Sequence, residues 1–532
     1  MLDSTEHLLA NEDSRISRRR LLQQTGVVAL GLALGGCGQS SKSSTTPSPS
    51  LSSAGPRPGG TLQVGFIGTG ASDSLNPLLA NSGIATARNW NIWDTLVVMD
   101  ANGVPTPYLA SEITPNAKAD VWTVRVHSGV TWHDGSPLTA DDVMYTYKCV
   151  DASPTSAAST ATDPVDVGRM SKVDALTVRL PMKKAYSEYM SALWFLPIFK
   201  KDTTLSSAHP VGTGPFELKS FTAGQVTVLK KNPHYWVPGR PYVDRLEMLS
   251  IPDPAARLDA LLGGQVNAVE SLSFAEGKSL MTNKDFTLLA ANGPNMVPIY
   301  MATTLAPFQD VRVRQAMRLI ADRQQLVDTA QVGLGTIGND LFGKGVEFYD
   351  NELPQRVQDI DQAKSLLKAA GREGLSVTLN SARAAPGMLE SATVFAQQAK
   401  RAGVNIKVQT VAADQYWGSS YMKQNFAQSL WYASPIWYNI SMSLLPKCMN
   451  PETHWNNDRF GKIVTALLGQ PDKQKRADYY YELQTILWNE GGYLIWGFFP
   501  QLDGLAKNVH SPGPNPSQPL SGWDFKDYWL AQ

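Results

Sequence analysis

Residues Leu375–Val411 read LSVTLNSARAAPGMLESATVFAQQAKRAGVNIKVQTV, and this stretch decides the fold class. Leu375, Val377 and Leu379 alternate with Ser376, Thr378 and Asn380, the period of two that sends successive side chains to opposite faces of a strand. A helical stretch follows from about Met388 to Ala402, and Gly403 stands where a helix can end in the left-handed conformation. Val404 to Val411 alternates again. Strand, helix and strand in that order predict a parallel pair with a crossover helix, hence a sheet covered by helices. The class is α/β, with mixed sheets and helices.

Working outward, Ala363, Leu366, Leu367 and Ala370 fall at helical spacing, with Gly371 after them. Far upstream, Thr61 to Gly65 reads as a strand, and Trp122, Val124 and Val126 alternate with Thr123, Arg125 and His127. Asp134-Gly135 and Pro137 then make a turn, and Thr139 with Asp142 has the spacing of a capping box, so a helix should start there and run towards Val150. At 532 residues the chain is too long for one core, and two or more domains are expected. It shows no internal repeat.

The first sixty residues carry an address. Arg18 and Arg19 belong to a twin-arginine pattern, Ser17 to Leu22, directly before an apolar stretch from Gly26 to Gly36. That stretch is too short to span a bilayer but suits the apolar region of a signal peptide. It ends in Leu34-Gly35-Gly36-Cys37, which resembles the lipobox at which bacterial lipoproteins are cleaved and the Cys thiol is lipidated. Residues 38–60 are nearly all Ser, Thr, Pro and Gly, with Lys42 and Arg57 the only charges, and such a segment has no apolar surface to bury. The expected product is a soluble body on a tether, lipid-anchored through Cys37 at the extracytoplasmic face of the cell membrane. Cys149 and Cys448 are expected to be unpaired.

Lys plus Arg equals Asp plus Glu at 47 each, which favours neither nucleic acid nor an anionic membrane surface as partner. Nucleophile elbow, zinc-protease, C-x-x-C and phosphate-loop signatures are missing, so no catalytic residue, metal ligand or cofactor is assigned. Gly333, Gly335 and Gly338 match G-x-G-x-x-G by letters. A helical, charged stretch precedes them where a dinucleotide site needs a strand, so they read as a turn. His133 reads as a hydrogen-bonding member of its own turn.

Several landmarks stand in one order, and together they resemble the peptide/nickel-type (family 5) extracellular solute-binding proteins of ABC importers. Asn91 to Val97 resembles the family's "YDTLV" region, and Tyr108-Leu109-Ala110 its "P-x-L-A" turn. Gly129 to Val143 matches "GVxFHDGxPLTAxDV", Gly212 to Phe216 "GTGPY/F", and Asn232 to Trp236 "NPxYW". Phe308 to Ala316 matches "FxDxRVRQA", and Asp361 to Gly371 resembles "DxxKAKxLLxEAG". The resemblance runs from about Gly60 to the C-terminus. It implies a two-lobed, type II periplasmic-binding-protein fold with lobe two inserted in lobe one. On this chain it implies a signal peptide over 1–37, a tether over 38–60 and lobe one over 61–294, including a smaller subdomain at about 91–185. Lobe two would cover 295–503 and the return to lobe one 504–532, with crossings near Asn295–Met301 and Leu502–Val509. The implied function is capture of a small solute, oligopeptide-class by resemblance, by a monomer that delivers it to the permease transmembrane subunits of an ABC importer. A cell-surface sensory binder for a sugar or other neutral solute is the alternative, and a secreted hydrolase a third.

Peptide binders of the family often carry a carboxylate in a "W-x-x-D-Y-P-D-P"-like segment. The corresponding stretch here, Trp431 to Asn439, has no acid, and neither Asp nor Glu occurs between Asp414 and Glu452. The region is instead aromatic, and Trp417, Trp431, Tyr432, Trp437, Tyr438 and Asn439 are the candidate ligand contacts, although packing of lobe two accounts for any one of them equally well. A buried ammonium without a counter-charge costs several kcal/mol. The expected ligand therefore lacks an obligatory free α-ammonium at that point. An oligosaccharide or other neutral molecule, an apolar or blocked peptide, and an anionic chelate all remain open.

Overall fold

Two mixed sheets joined by two crossing segments form the centre of the computed structural model, which describes residues 55–532 except 69, 71, 72, 81, 101, 157, 517 and 532. Arg18, Arg19 and Cys37 lie outside the described residues. The decisive stretch folds as its pattern predicts. Ser376–Ser381 pairs in parallel with Asn405–Thr410, and the helix Met388–Arg401 crosses between them. Gly403, at φ +76°, ends that helix: its N–H donates to Lys400 O and the Val404 N–H to Ala399 O, the paired bonds of a left-handed cap. Around this unit lobe two forms a five-stranded sheet in the order Asn405–Thr410, Ser376–Ser381, Phe426–Gln428, Ile299–Met301, Tyr493–Leu494. Its landmark helix Val311–Ile320 is tied down by buried Arg314, which donates to Phe308 O and Glu490 O, and by Arg318, which donates to Tyr493 O.

Lobe one is built on an eight-stranded sheet whose main path runs Phe286–Asn295, Gly497–Ala506, Ala268–Val269, Thr61–Phe66, Arg245–Ser250, Val226–Lys231, Phe216–Thr222. A separate four-stranded sheet, Ala110–Pro115, Val121–Val126, Thr177–Pro181 and Ser171–Lys172, carries the helix Ala140–Asp151 that starts after Thr139. The lobe-one landmarks meet at one junction. A Cβ at Gly212 would come within 1.7 Å of Ile92 O, so only glycine allows this approach, and the Gly212 N–H donates to His133 Nδ1. Tyr235 and Trp236 both donate to the Asp94 carboxylate, whose pKa burial pushes up to about 6. Here these motifs serve as framework, through close backbone approach and buried hydrogen bonds.

The chain leaves lobe one through Met296–Pro298 and comes back through Ile495 and Trp496, where the Trp496 indole N–H donates to Val297 O. The return lies earlier than the crossing expected at Leu502–Val509. From Gly497 onward the chain is already in the lobe-one sheet, antiparallel to Phe286–Asn295, so residues expected at the end of lobe two form its neighbouring strand. The alternation that reveals a strand does not reveal which sheet receives it. Gly335 and Gly338 pack on this return segment: a Cβ on either would approach Phe498 O or Ile495 O to 2.5 Å or less. Cys149 and Cys448 are free thiols.

Candidate ligand cleft

A cavity of about 590 Å³ lies beside the crossing segments and is lined by both lobes, a size suited to a small solute. Lobe one presents Glu270, Ser271, Trp194, Phe195 and Trp523; lobe two presents Trp431, Tyr432, Ser434 and Tyr438, with Asn295 at the crossing itself.

The lobe-one wall is an assembly of buried polar groups. Glu270 follows the two-residue strand Ala268–Val269, wedged between Thr61–Phe66 and the return strand. One carboxylate oxygen, Oε1, accepts the Ile67 N–H at 3.0 Å. Gly83, the first residue of the helix Gly83–Ile92, lies so close that a Cβ there would stand 3.2 Å from both carboxylate oxygens. Beneath the acid, buried Arg257 donates to four carbonyls, those of Ile251, Pro252, Glu270 and Ser271, and makes no ion pair with the Glu270 carboxylate. Asp503 accepts the Ser271 N–H at 2.9 Å and the Leu520 N–H at 2.7 Å. Together Arg257 and Asp503 hold Ser271 at φ +56°, a left-handed turn that swings the chain away from the strand just after Glu270. Burial raises the Glu270 pKa to about 7 and that of Asp503 to about 6.

Trp523 reaches the same wall through a strained stretch. Leu520, Ser521, Gly522 and Trp523 all have positive φ, and each non-glycine residue there costs roughly 1–2 kcal/mol. The stretch is pinned by the Asp503–Leu520 bond, by Asn91 Nδ2 donating to Trp523 O at 3.0 Å, and by a 2.9 Å bond between the Ser521 and Tyr528 hydroxyls. Strain maintained by several independent contacts at a cleft is the usual mark of a functional wall.

The lobe-two wall is aromatic and uncharged. Trp431 forms a backbone bridge with Met296, and its indole N–H points back to Glu452. Glu452 is fully buried behind the wall and also accepts from Ser429, Tyr421 and Tyr493, so it holds the aromatic layer from the rear and offers nothing to the cavity. Tyr432 is 57% exposed and Tyr438 packs beside Phe195 of lobe one.

Of the six candidates from sequence, Trp431, Tyr432 and Tyr438 line the cavity, while Trp417, Trp437 and Asn439 do not. Trp417 lies over Tyr416 and Tyr421, and Asn439 is buried inside the helix Ile436–Ser443. Trp437, one residue before Tyr438, points in a different direction and off the cavity, because adjacent helical residues are about 100° apart. Its indole N–H donates to Tyr186 OH of lobe one at 2.7 Å. It belongs to a clasp between the lobes in which Ser187 also donates to Leu467 O and Leu468 O, and Glu188 pairs with Arg476 at 2.9 Å. Sequence reasoning missed Glu270, Trp194, Trp523 and Asn295. The one available signal was Glu270 itself, an acid directly after the apolar Ala268-Val269 pair.

A family model described as "Bacterial extracellular solute-binding proteins, family 5 Middle" matches residues 104–450. The glutathione-binding protein GsiB of Salmonella typhimurium is 23% identical over 452 residues, covering 79% of this chain and 86% of its own. Among solved structures, the ABC transporter substrate-binding protein CtaP of Listeria monocytogenes superposes with a TM-score of 0.78 at 19% identity, covering 90% of this chain and all of its own. The oligopeptide-binding protein AppA of Bacillus subtilis, in complex with a nonapeptide, gives 0.72 at 21% identity, with the same coverage. The two-lobed fold is thus that of type II periplasmic binding proteins, and the chain belongs to the bacterial extracellular solute-binding proteins of family 5.

Proposed function

We propose that the cleft captures an oligopeptide-class solute and that the protein, held at the extracytoplasmic face of the membrane by a lipid on Cys37, presents it to the permease subunits of an ABC importer. Capture and delivery for import follow from the family; the peptide class, the lipid anchor and action as a monomer are the finer reading. The observation that carries it is the cavity lined from both sides of the crossing segments. A solute there contacts both lobes only when they meet, so binding favours the closed shape over the open one. The permease can then distinguish loaded from empty protein. The GsiB and AppA names support a peptide-class ligand, and the order of twin arginines, apolar run, Cys37 and tether supports export and anchoring. Relatives and structural neighbours are binding proteins, and we read this chain as a binder that performs no reaction.

Native mass spectrometry of protein extracted from membranes of the producing cells tests both parts. A co-purifying peptide mass and a diacylglyceryl mass on Cys37 are expected, and Cys37→Ser should leave precursor or release the protein. A mature wild-type chain without acyl mass would remove the anchor, and a co-purifying sugar would remove the peptide class.

A further inference from the structure

The charge in the cleft is one-sided. Among the described residues that line it, Glu270 is the only ionisable group apart from the tyrosines; no Lys, Arg or His is among them. Behind the wall, one guanidinium, Arg257, stands against two carboxylates, Glu270 and Asp503, so the ionised cluster carries one negative charge in excess. Asp503 is fully engaged with backbone N–H groups and Gln501, and it does not reach the cavity. Glu270 does, across from the aromatic wall of lobe two. Three buried donors of lining residues have no protein partner: the Trp523 indole N–H, which lies toward Glu270, and two others, Asn295 Nδ2, whose Oδ1 is taken by the Ala433 N–H, and the Trp194 indole N–H. A buried donor left unpaired is costly, so the last two N–H groups ask for an acceptor from the ligand.

Resting on the solute-binding reading above, we propose that the cleft takes its solute by an ammonium end held on Glu270, sets an uncharged carbonyl or hydroxyl against Asn295 and Trp194, and leaves any carboxylate in solvent. The geometry supplies each part. An ammonium beside Glu270 neutralises the excess charge; a carboxylate in the same space would lose its hydration, find no cation in the lining and meet Glu270. Tyr432 and Trp431 give the apolar remainder of the solute a face to lie on. Burial, which raises the Glu270 pKa, disfavours an unpaired carboxylate there and is offset by a cation beside it. The expectation from residues 431–439, that the ligand lacks a free ammonium, thus holds for that segment alone, because the counter-charge comes from the opposite lobe.

The test uses the full chain in detergent and a degenerate tetrapeptide mixture of Ala, Ser, Leu and Phe, which has no charged side chain, in four terminal forms: free, N-acetylated, C-amidated, and both blocked. Titration calorimetry should rank the C-amidated and free forms at least tenfold tighter than either N-acetylated form. In Glu270→Gln the ratio should fall to within about twofold while the unfolding midpoint of the empty protein does not drop, and Glu270→Asp should keep part of the preference. N-acetylated forms binding as tightly as free-amine forms, or C-amidation weakening binding tenfold, would overturn the inference and leave the import function intact. Binding of none of the four forms would remove the peptide class together with this inference.

Discussion

The lobe-two wall of the cleft comes almost wholly from one run of chain, 430–438, joined by Asn450, whereas the lobe-one wall is gathered from segments around residues 67, 83, 194, 270 and 523. The first is a neutral aromatic surface braced from behind by Glu452. The second carries the charge, and it rests on a buried guanidinium, a buried carboxylate and a strained left-handed turn. The difference separates two tasks. A contiguous aromatic layer gives contact area with little demand on exact position, but a charge recognised out of water needs fixed partners, and these come from wherever the sheet brings them.

This contrast can be broken first at the supports. Trp431→Ala should destabilise the fold by about 3–5 kcal/mol, because the side chain is buried against Phe342 and holds Glu452. Urea unfolding that shows under 1 kcal/mol would mean that the residue belongs to the cleft alone. Arg257→Met should cost roughly 3 kcal/mol or more by leaving four carbonyls without their donor and two carboxylates without their nearby cation. The same variant should also abolish discrimination between amine and acetylated probes, since Ser271 would no longer hold Glu270 in place.

Tyr432→Ala sharpens the comparison from the other side. The ring is more than half exposed, so stability should change by less than about 0.5 kcal/mol while probe binding weakens by about 2 kcal/mol. Equal losses in calorimetry and thermal unfolding would return Tyr432 to the core.

The pH dependence follows from Glu270. Its pKa lies above the ordinary carboxyl value, so the folded empty protein binds a proton that the unfolded chain has already released between about pH 4.5 and 7. Stability of the empty protein should therefore fall as pH rises through that window, with Asp94 and Asp503 contributing in the same direction up to about 6. An ammonium ligand needs the ionised carboxylate, so its affinity should rise by up to about tenfold per pH unit towards 7 and then level off. The groups facing Glu270 are Arg257 and Asp503 from lobe one and Tyr432 from lobe two; Glu270→Gln should flatten the affinity profile. A wild-type profile already flat from pH 5 to 8 would exclude Glu270 as the anchor. The smallest effect belongs to the clasp. Trp437→Phe removes one N–H donor to Tyr186, about 1 kcal/mol, and should weaken every probe equally by loosening closure without changing their order.

Local pattern was enough for the fold class. Period-two runs and caps such as Gly403 and Thr139 are each decided within a few residues, so the α/β class was legible in the sequence, while the two-lobed plan came from the family resemblance that the ordered landmarks carry. The aromatic wall was half legible: 431–438 was found, but Trp437 and Tyr438 leave one helix about 100° apart, and composition does not say which direction meets the cleft. The absence of an acid between Asp414 and Glu452 was read correctly from the letters, yet it described one wall only. Glu270 lies about 160 residues upstream of Trp431. Only the sheet, which sets Ala268–Val269 beside the return strand and the crossing segments, places that carboxylate opposite the aromatic layer. Its chemistry, an acid near neutrality with a cation beneath it, arises from burial, and burial is a property of the assembled lobes and of no single segment.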